Sequence, residues 1–209
     1  MEFIESLNWR YATKKFDPSK KIKQEDLETI KEAVRLSASS YGLQLYKVLV
    51  IENPEIREKL KPASWGQSQI TDASQLIVFC NYTDVTDEHI DDYLQLKAET
   101  QDLELEGLKD YGSMMKGSMA GYTDSQKNQW TAKQTYIALG NLLAVCSILR
   151  IDACPMEGFD PVKYNEILGL TENGLNASVI ATIGYRSEED KTQFLKKVRK
   201  PAEALFEAI

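Results

Sequence analysis

The feature that most constrains this chain is a long apolar helix signal that opens at Thr123 and runs to about Arg150. Thr123 and Gln126 stand three residues apart, the spacing at which a hydroxyl and an amide cap each other's orphan backbone N–H groups. Behind them come Tyr136, Ile137, Leu139, Leu142, Leu143 and Val145, and a helix of that span reaches about 40 Å at 1.5 Å per residue. Its apolar positions fill more than one stripe, so the helix is expected to bury surface on two sides. The core of a 209-residue chain covers one side. A second copy of the chain is the economical cover for the other, and the expectation is a homodimer.

Other elements arrange themselves around that helix. A first helix is predicted around Glu2–Trp9, and a second over Gln24–Ser37, where Leu27, Ile30 and Val34 share a face. Tyr46–Glu52, Gln75–Tyr82 and Ala177–Tyr185 are short, apolar and bounded by polar or Pro-containing segments, as buried strands are. Pro54–Leu60 reads as a short helix, and Asp160-Pro161 opens another that closes near Gly169. From about 86 to 121 the chain is more charged and holds four glycines beside Tyr111, Met114, Met115 and Met119, a helical excursion. No linker or repeat divides the chain. The expected class is α+β, a single domain over 1–209 with a central mixed sheet flanked by helices.

Composition removes several kinds of function. Twenty-five Lys and Arg against 32 Asp and Glu leave a formal charge of -7, which argues against a nucleic-acid surface or an anionic-membrane surface. No apolar run approaches the roughly 20 residues that span a bilayer, and the opening MEFIESLNWR lacks an export signal, so a cytoplasmic protein is expected. His89 is the only histidine, and Cys80, Cys146 and Cys154 form no CxxC pair. Triad chemistry and a metal site are therefore both disfavoured, and the cysteines read as small buried apolar residues.

Against this acidic background two basic groups stand out: Arg10, Lys14 and Lys15 near the start, and Lys196, Lys197, Arg199 and Lys200 near the end. Apart, they are solvated patches; joined by folding, they make a site for a compact phosphate. Three further segments carry polar or small residues suited to a ligand. Ser37–Gln44 (SASSYGLQ) groups hydroxyls, an amide and a glycine at a helix end, and also suits an ordinary helix stop. Trp65–Gln69 (WGQSQ) sets two amides beside an aromatic ring. Pro155–Pro161 (PMEGFDP) follows a strand end, where Gly158 permits close backbone approach and where a plain strand-to-helix turn is equally served. The phosphate-loop and GxGxxG patterns are absent.

In their order along the chain, RYATKKFDP, SASSYGLQ, PMEGFDP and KKVRKP resemble the motifs of the FMN-dependent nitroreductase family over nearly the whole length. That resemblance implies bound FMN, NADPH or NADH as electron donor, a small-molecule acceptor and active sites shared across a homodimer. It places Arg10, Lys197 and Arg199 at the FMN phosphate, Lys14 along the ribityl chain and pyrimidine edge, and the backbone of Tyr11 and Ala12 nearby. Ser39, Ser40, Gly42 and Gln44 match the loop that approaches the partner's flavin. Pro155, Met156, Glu157 and Gly158 match the segment beside the reactive ring edge. Gln67 and Gln69 fall at the pyrimidine edge, where the enteric members carry an asparagine and a lysine at the places of Gly66 and Gln69. No catalytic side chain is implied, because the chemistry belongs to flavin N5. Nitroaromatics, quinones or free flavin are the expected acceptors. A dedicated reductase of a pterin or an enal, and a flavin-binding redox sensor without turnover, would carry the same motifs.

Overall fold

The computed structural model describes residues 3–209. Helix α1 (Phe3–Trp9) opens the chain, and Glu2, assigned to it from sequence, lies outside the described residues. Helix α2 (Gln24–Arg35) buries Leu27, Ile30 and Val34 on one face. It stops before Ser37 because the Gln44 side chain caps it, Nε2 donating to Arg35 O at 2.8 Å. There follow β1 (Tyr46–Ile51), α3 (Pro54–Leu60), α4 (Gln69–Asp72) and β2 (Gln75–Tyr82), then α5 (Asp87–Gln101), α6 (Lys109–Ala120) and α7 (Asp124–Ile148). The remainder is β3 (Asp152–Met156), α8 (Pro161–Leu168), β4 (Leu175–Gly184) and α9 (Ala202–Leu205).

The class is α+β, as expected, but the mixed sheet is corrected. The four strands run in the order β1-β2-β4-β3 and every neighbouring pair is antiparallel. Among the described residues parallel pairing is confined to an isolated bridge between Ala12 and Ala153. The reason lies in the connections. A helix between two strands gives a parallel pair only when the chain crosses to the far end of the sheet. Here Trp65 and Gly66, both left-handed (φ 56° and 71°), turn the chain back between α3 and α4, and Gly169 and Gly174 (φ 62° and 64°) do the same after α8. These two connections return to the end they left, whereas α5, α6 and α7 carry the chain to the far end, where β3 starts out of contact with β2.

Side chains alternate across the sheet with the period of two that strands impose. Leu76, Val78 and Cys80 of β2 face α3, α4 and α8, where they meet Leu60, Ile70 and Tyr164. Ile77 and Phe79 face α2 and α7, against Ile30, Val34, Leu139 and Leu142. A bulge opposite Phe79/Cys80 shifts the β4 partner from Val179 to Ala177. The extra residue, Ser178, hydrogen-bonds Thr135 of α7 at 3.1 Å, so strand and helix are fixed in register at the irregularity.

The capping box at Thr123 and Gln126 is present, and α7 runs for 25 residues. One side of it, with Ala138, Leu139, Leu142 and Cys146, is buried on the sheet. On another side Ile137, Gly140, Ala144 and Ile148 follow one another at spacings of three and four, and Ile137 and Ile148 are 44% and 55% exposed. Helices α5 and α6 make a third cluster with Leu43, Leu45, Ile90 and Leu94, in which Met115 and Met119 are buried, while Met114 is exposed. His89 serves as a cap, its Nδ1 accepting from Thr86 N at 3.2 Å. All three cysteines are buried free thiols.

Candidate active site

Between α1 and α2 the chain runs as a strip along β3, tied by the Ala12–Ala153 bridge and by a second, antiparallel bridge between Phe16 and Arg186. The side chains of Trp9, Tyr11 and Thr13 are held by the body of the protein. Arg186 stacks on the Trp9 ring (4.3 Å) and the Tyr11 ring (4.7 Å). It is locked in turn by buried Asp152, to which Arg186 Nε donates at 2.7 Å and Arg186 N at 2.8 Å. Thr13 Oγ1 donates to the same carboxylate at 3.4 Å. Tyr11 Oη donates to Asp190 at 2.9 Å.

Arg10 and Lys14 have no carboxylate in salt-bridge range among the described residues. Arg10 is half-buried, and its Nε finds no hydrogen-bond partner among the described residues. Burial, and then the nearby charge of Arg199, pull its guanidinium below the ordinary value. Lys197 joins them: its Nζ donates to Leu7 O at 3.0 Å and to Arg10 O. Burial, then Arg10 and Arg199, lower the Lys197 ammonium as well. Among the described residues none of these three cations has a carboxylate in salt-bridge range. Three cations, two of them partly desolvated, are thus gathered from the two ends of the chain without a balancing anion. Such an arrangement is stable when something anionic occupies it, and a phosphate monoester matches the charge and the donors.

Cys154 of β3 is buried, which makes its ionisation harder, while the charge of Lys14 on the strip eases it. Arg10, Tyr11, Ala12 and Lys14 therefore run beside the edge strand β3, with the bridge at Ala12–Ala153, and buried Gln69 opens α4. At the end of that strand Pro155 and Met156 are still paired with Ala181 and Ile180. Glu157 is exposed, and its Oε1 accepts from the Tyr136 hydroxyl of α7 at 2.6 Å; burial first, then Glu157, push that phenol up to about 12. Gly158 also packs closely within the chain itself: a Cβ there would lie 2.8 Å from the Trp65 indole. Gln67 is likewise engaged internally, Nε2 donating to Gly158 O at 2.9 Å and Ser64 O at 3.1 Å.

Ser39, Ser40, Gly42 and Gln44 are not brought to this place. Ser39 Oγ accepts from Gln44 N at 3.0 Å, and Ser40 N donates to Gln134 of α7 at 2.9 Å. Gly42 (φ 80°) sits where a Cβ would meet the Tyr93 hydroxyl at 2.8 Å. The loop and the Glu157 segment contact α7 at positions 134 and 136, and two residues on a helix turn through about 200°. They lie on different sides of α7.

Sequence reasoning missed Asp152, Asp190, Arg186 and Tyr136. The two aspartates are the groups that hold the strip: Asp190 accepts from Lys14 N at 2.8 Å and Lys15 N at 3.2 Å as well as from Tyr11. Burial alone would raise the Asp190 carboxyl, but these hydrogen bonds outweigh it and keep it below the usual carboxylate range.

The sheet order and flanking helices define an α+β architecture with a cationic cluster beside one sheet edge, and comparison with known proteins gives its family. The nitroreductase family model matches residues 7–185, and the chain belongs to that family of oxidoreductases. A Staphylococcus haemolyticus protein with the provisional name NAD(P)H nitroreductase is 39% identical over 215 residues, covering 99% of this chain and 96% of its own. The Bacillus subtilis protein YfkO, with the same provisional name, is 36% identical over 211 residues, 91% of each chain. Among solved structures, a Bacillus subtilis nitroreductase superposes with a TM-score of 0.89 at 21% identity, covering 99% of this chain and 98% of its own. An Exiguobacterium sibiricum nitroreductase determined in complex with FMN superposes at 0.84 with 20% identity, covering 100% and 98%. No helix among the described residues is long and apolar enough to cross a membrane.

Proposed function

We propose that the protein is a homodimeric, cytoplasmic, FMN-dependent oxidoreductase that draws on NADPH or NADH to reduce nitroaromatic, quinone or flavin acceptors. The observation that carries this reading is the convergence of Arg10, Lys197 and Arg199 without a balancing carboxylate. Arg10 supplies a planar fork of donors to the FMN phosphate, and Lys197 and Arg199 add charge from the tail. Lys14 and Gln69 take the pyrimidine edge along β3, with the backbone of Tyr11 and Ala12 beside the ribityl chain. Pro155, Met156, Glu157 and Gly158 would form the wall at the reactive edge and offer it their backbone N–H groups, and Gln67 holds that wall through Gly158 O. When bound, FMN supplies the hydride chemistry, accepting from nicotinamide and donating to the acceptor at one ring face in alternation.

The position of Ser39, Ser40, Gly42 and Gln44 on another side of α7 from Glu157 supports a shared site, with this loop serving the flavin of the partner. The exposed Ile137–Ile148 stripe is the natural contact for that partner. One domain over 1–209 suffices for this, with the 86–121 excursion covering the acceptor.

The test is a visible spectrum of purified protein before and after anaerobic NADPH, then NADH, followed by a panel of acceptors. A flavin spectrum that bleaches with a donor and returns with a quinone or nitroaromatic is expected. Return with only one acceptor among many identifies a dedicated reductase, and no return identifies a sensor. Arg10→Ala is expected to weaken FMN binding about 10- to 100-fold, the loss of a charged hydrogen bond. A protein that takes up no FMN overturns the reading.

A further inference from the structure

The strip is bound to the sheet by backbone pairing on either side of Lys14, at Ala12 and at Phe16, and it bends at Lys14 itself. At the bend the ladder is interrupted. Thr13 N finds Ala153 O at 3.4 Å, and Asp17 N finds Tyr185 O at 2.8 Å, while Lys14 N and Lys15 N have no backbone acceptor among the described residues. Both donate instead to Asp190 Oδ2, at 2.8 and 3.2 Å. Tyr11 Oη donates to the same oxygen at 2.9 Å, and Thr192 N to Oδ1 at 3.0 Å.

Asp190 is 2% exposed and has no cation in salt-bridge range among the described residues. Its charge is balanced by N–H and O–H dipoles alone. Two successive N–H groups converge on one oxygen only when the backbone curls around it, so the acceptor fixes the curl and with it the direction of the side chains it carries.

We propose that Asp190 is a positioning residue of the cofactor site, setting the place of the Lys14 ammonium by holding the Lys14 and Lys15 N–H groups and the Tyr11 hydroxyl. This rests on the FMN reading above. A cation at the pyrimidine edge favours the reduced, negatively charged ring. Displacing Lys14 therefore lowers the midpoint potential of bound flavin, an effect that general destabilisation does not produce. Arg10 and the tail cations are untouched, so retention of the phosphate persists.

The experiment measures the midpoint potential of flavin-loaded wild type, Asp190→Asn, Lys14→Ala and the double variant, with amide hydrogen exchange at Lys14 and Lys15 in flavin-free protein. A more negative potential is expected in both single variants. The double variant is expected to match Lys14→Ala, since a residue that acts through another adds nothing once that one is gone. Exchange at both amides accelerates at least tenfold in Asp190→Asn. If that variant does not fold, Asp190→Glu keeps the charge, moves it by one methylene, and is expected to shift the potential in the same direction. An unchanged potential in a loaded Asp190 variant, additive shifts in the double variant, or unaltered exchange overturns the proposal. Wild-type protein that takes up no FMN is a distinct result, and it overturns the underlying reading together with this one.

Discussion

Gly158 carries a constraint that its backbone angles do not reveal. Its φ is ordinary, yet a methyl group there would sit 2.8 Å from the six-membered ring of Trp65 and 3.2 Å from Gln67 Nε2. Gly158→Ala is expected to destabilise the fold by about 1–3 kcal/mol, the usual cost of overpacking, and to loosen the Gln67 bond to Gly158 O. Trp65→Ala in the same protein should recover most of that loss, because Trp65 is 74% exposed and its removal opens the space. Urea titration of the two single variants and the double variant checks this, and failure of the second change to compensate would mean that the strain lies elsewhere. Asp190 makes a second prediction. Its folded carboxyl lies below the ordinary 3.8, so the stability it contributes is complete above about pH 4 and fades as the pH falls through the lower folded value. The stability gap between wild type and Asp190→Asn, wide at pH 7, should narrow as the pH falls below the ordinary carboxylate value and close once the folded carboxyl is protonated. A gap that stays constant across that range would show the carboxylate charge to be immaterial.

Among the elements, α7 was the most legible in the sequence. Its capping box and its apolar density are local signals, and the structure starts the helix at Asp124, directly after Thr123. The strands β1, β2 and β4 were legible for the same reason. Strand direction was not, because the left-handed Trp65 and the glycines that turn the connections back act over a single residue each. The basic motifs at the two chain ends were visible as charge, and the fold joins them. What holds the strip was invisible: Asp190 and Asp152 work on partners up to 179 and 139 residues away, and an isolated aspartate in an acidic chain carries no mark of such a task. The open stripe of α7 belongs to this scale too. Ile137→Glu places a charge at the head of the stripe Ile137, Gly140, Ala144 and Ile148. It is expected to convert a dimer to monomer in sedimentation or light scattering while leaving the far-UV spectrum intact, since the residue is 44% exposed within one chain. A monomeric wild type would remove the ground for the shared site.

For the molecule as a whole, cofactor and assembly should stabilise one another. The loop at Ser39–Gln44 and the wall at Pro155–Gly158 lie on different sides of α7, so the proposed site built from both would exist only in a dimer. Any ligand that binds only the folded state adds stability as RT ln(1 + [L]/Kd), about 2.7 kcal/mol at a hundredfold excess over Kd. Saturating FMN is therefore expected to raise the Tm by several degrees, and dilution of FMN-free protein to lower it. Ile137→Glu should abolish the dilution effect and reduce the FMN effect together. Riboflavin, which lacks the phosphate, should protect less than FMN in every case. Equal protection by the two would remove the tail cations from the site.

Lys197 reaches back across the molecule to the carbonyls of Leu7 and Arg10, at the end of α1. An ammonium has three N–H donors, and two are accounted for there. The third remains for a ligand, and the lysine need not release either carbonyl to use it. A receptor assembled in advance lets its ligand arrive in a single kinetic step, with a rate that rises linearly with concentration and does not level off. Stopped-flow mixing with FMN should give that straight line, and raising the salt should lower its slope, since the encounter is between a phosphate and a cluster of like charges.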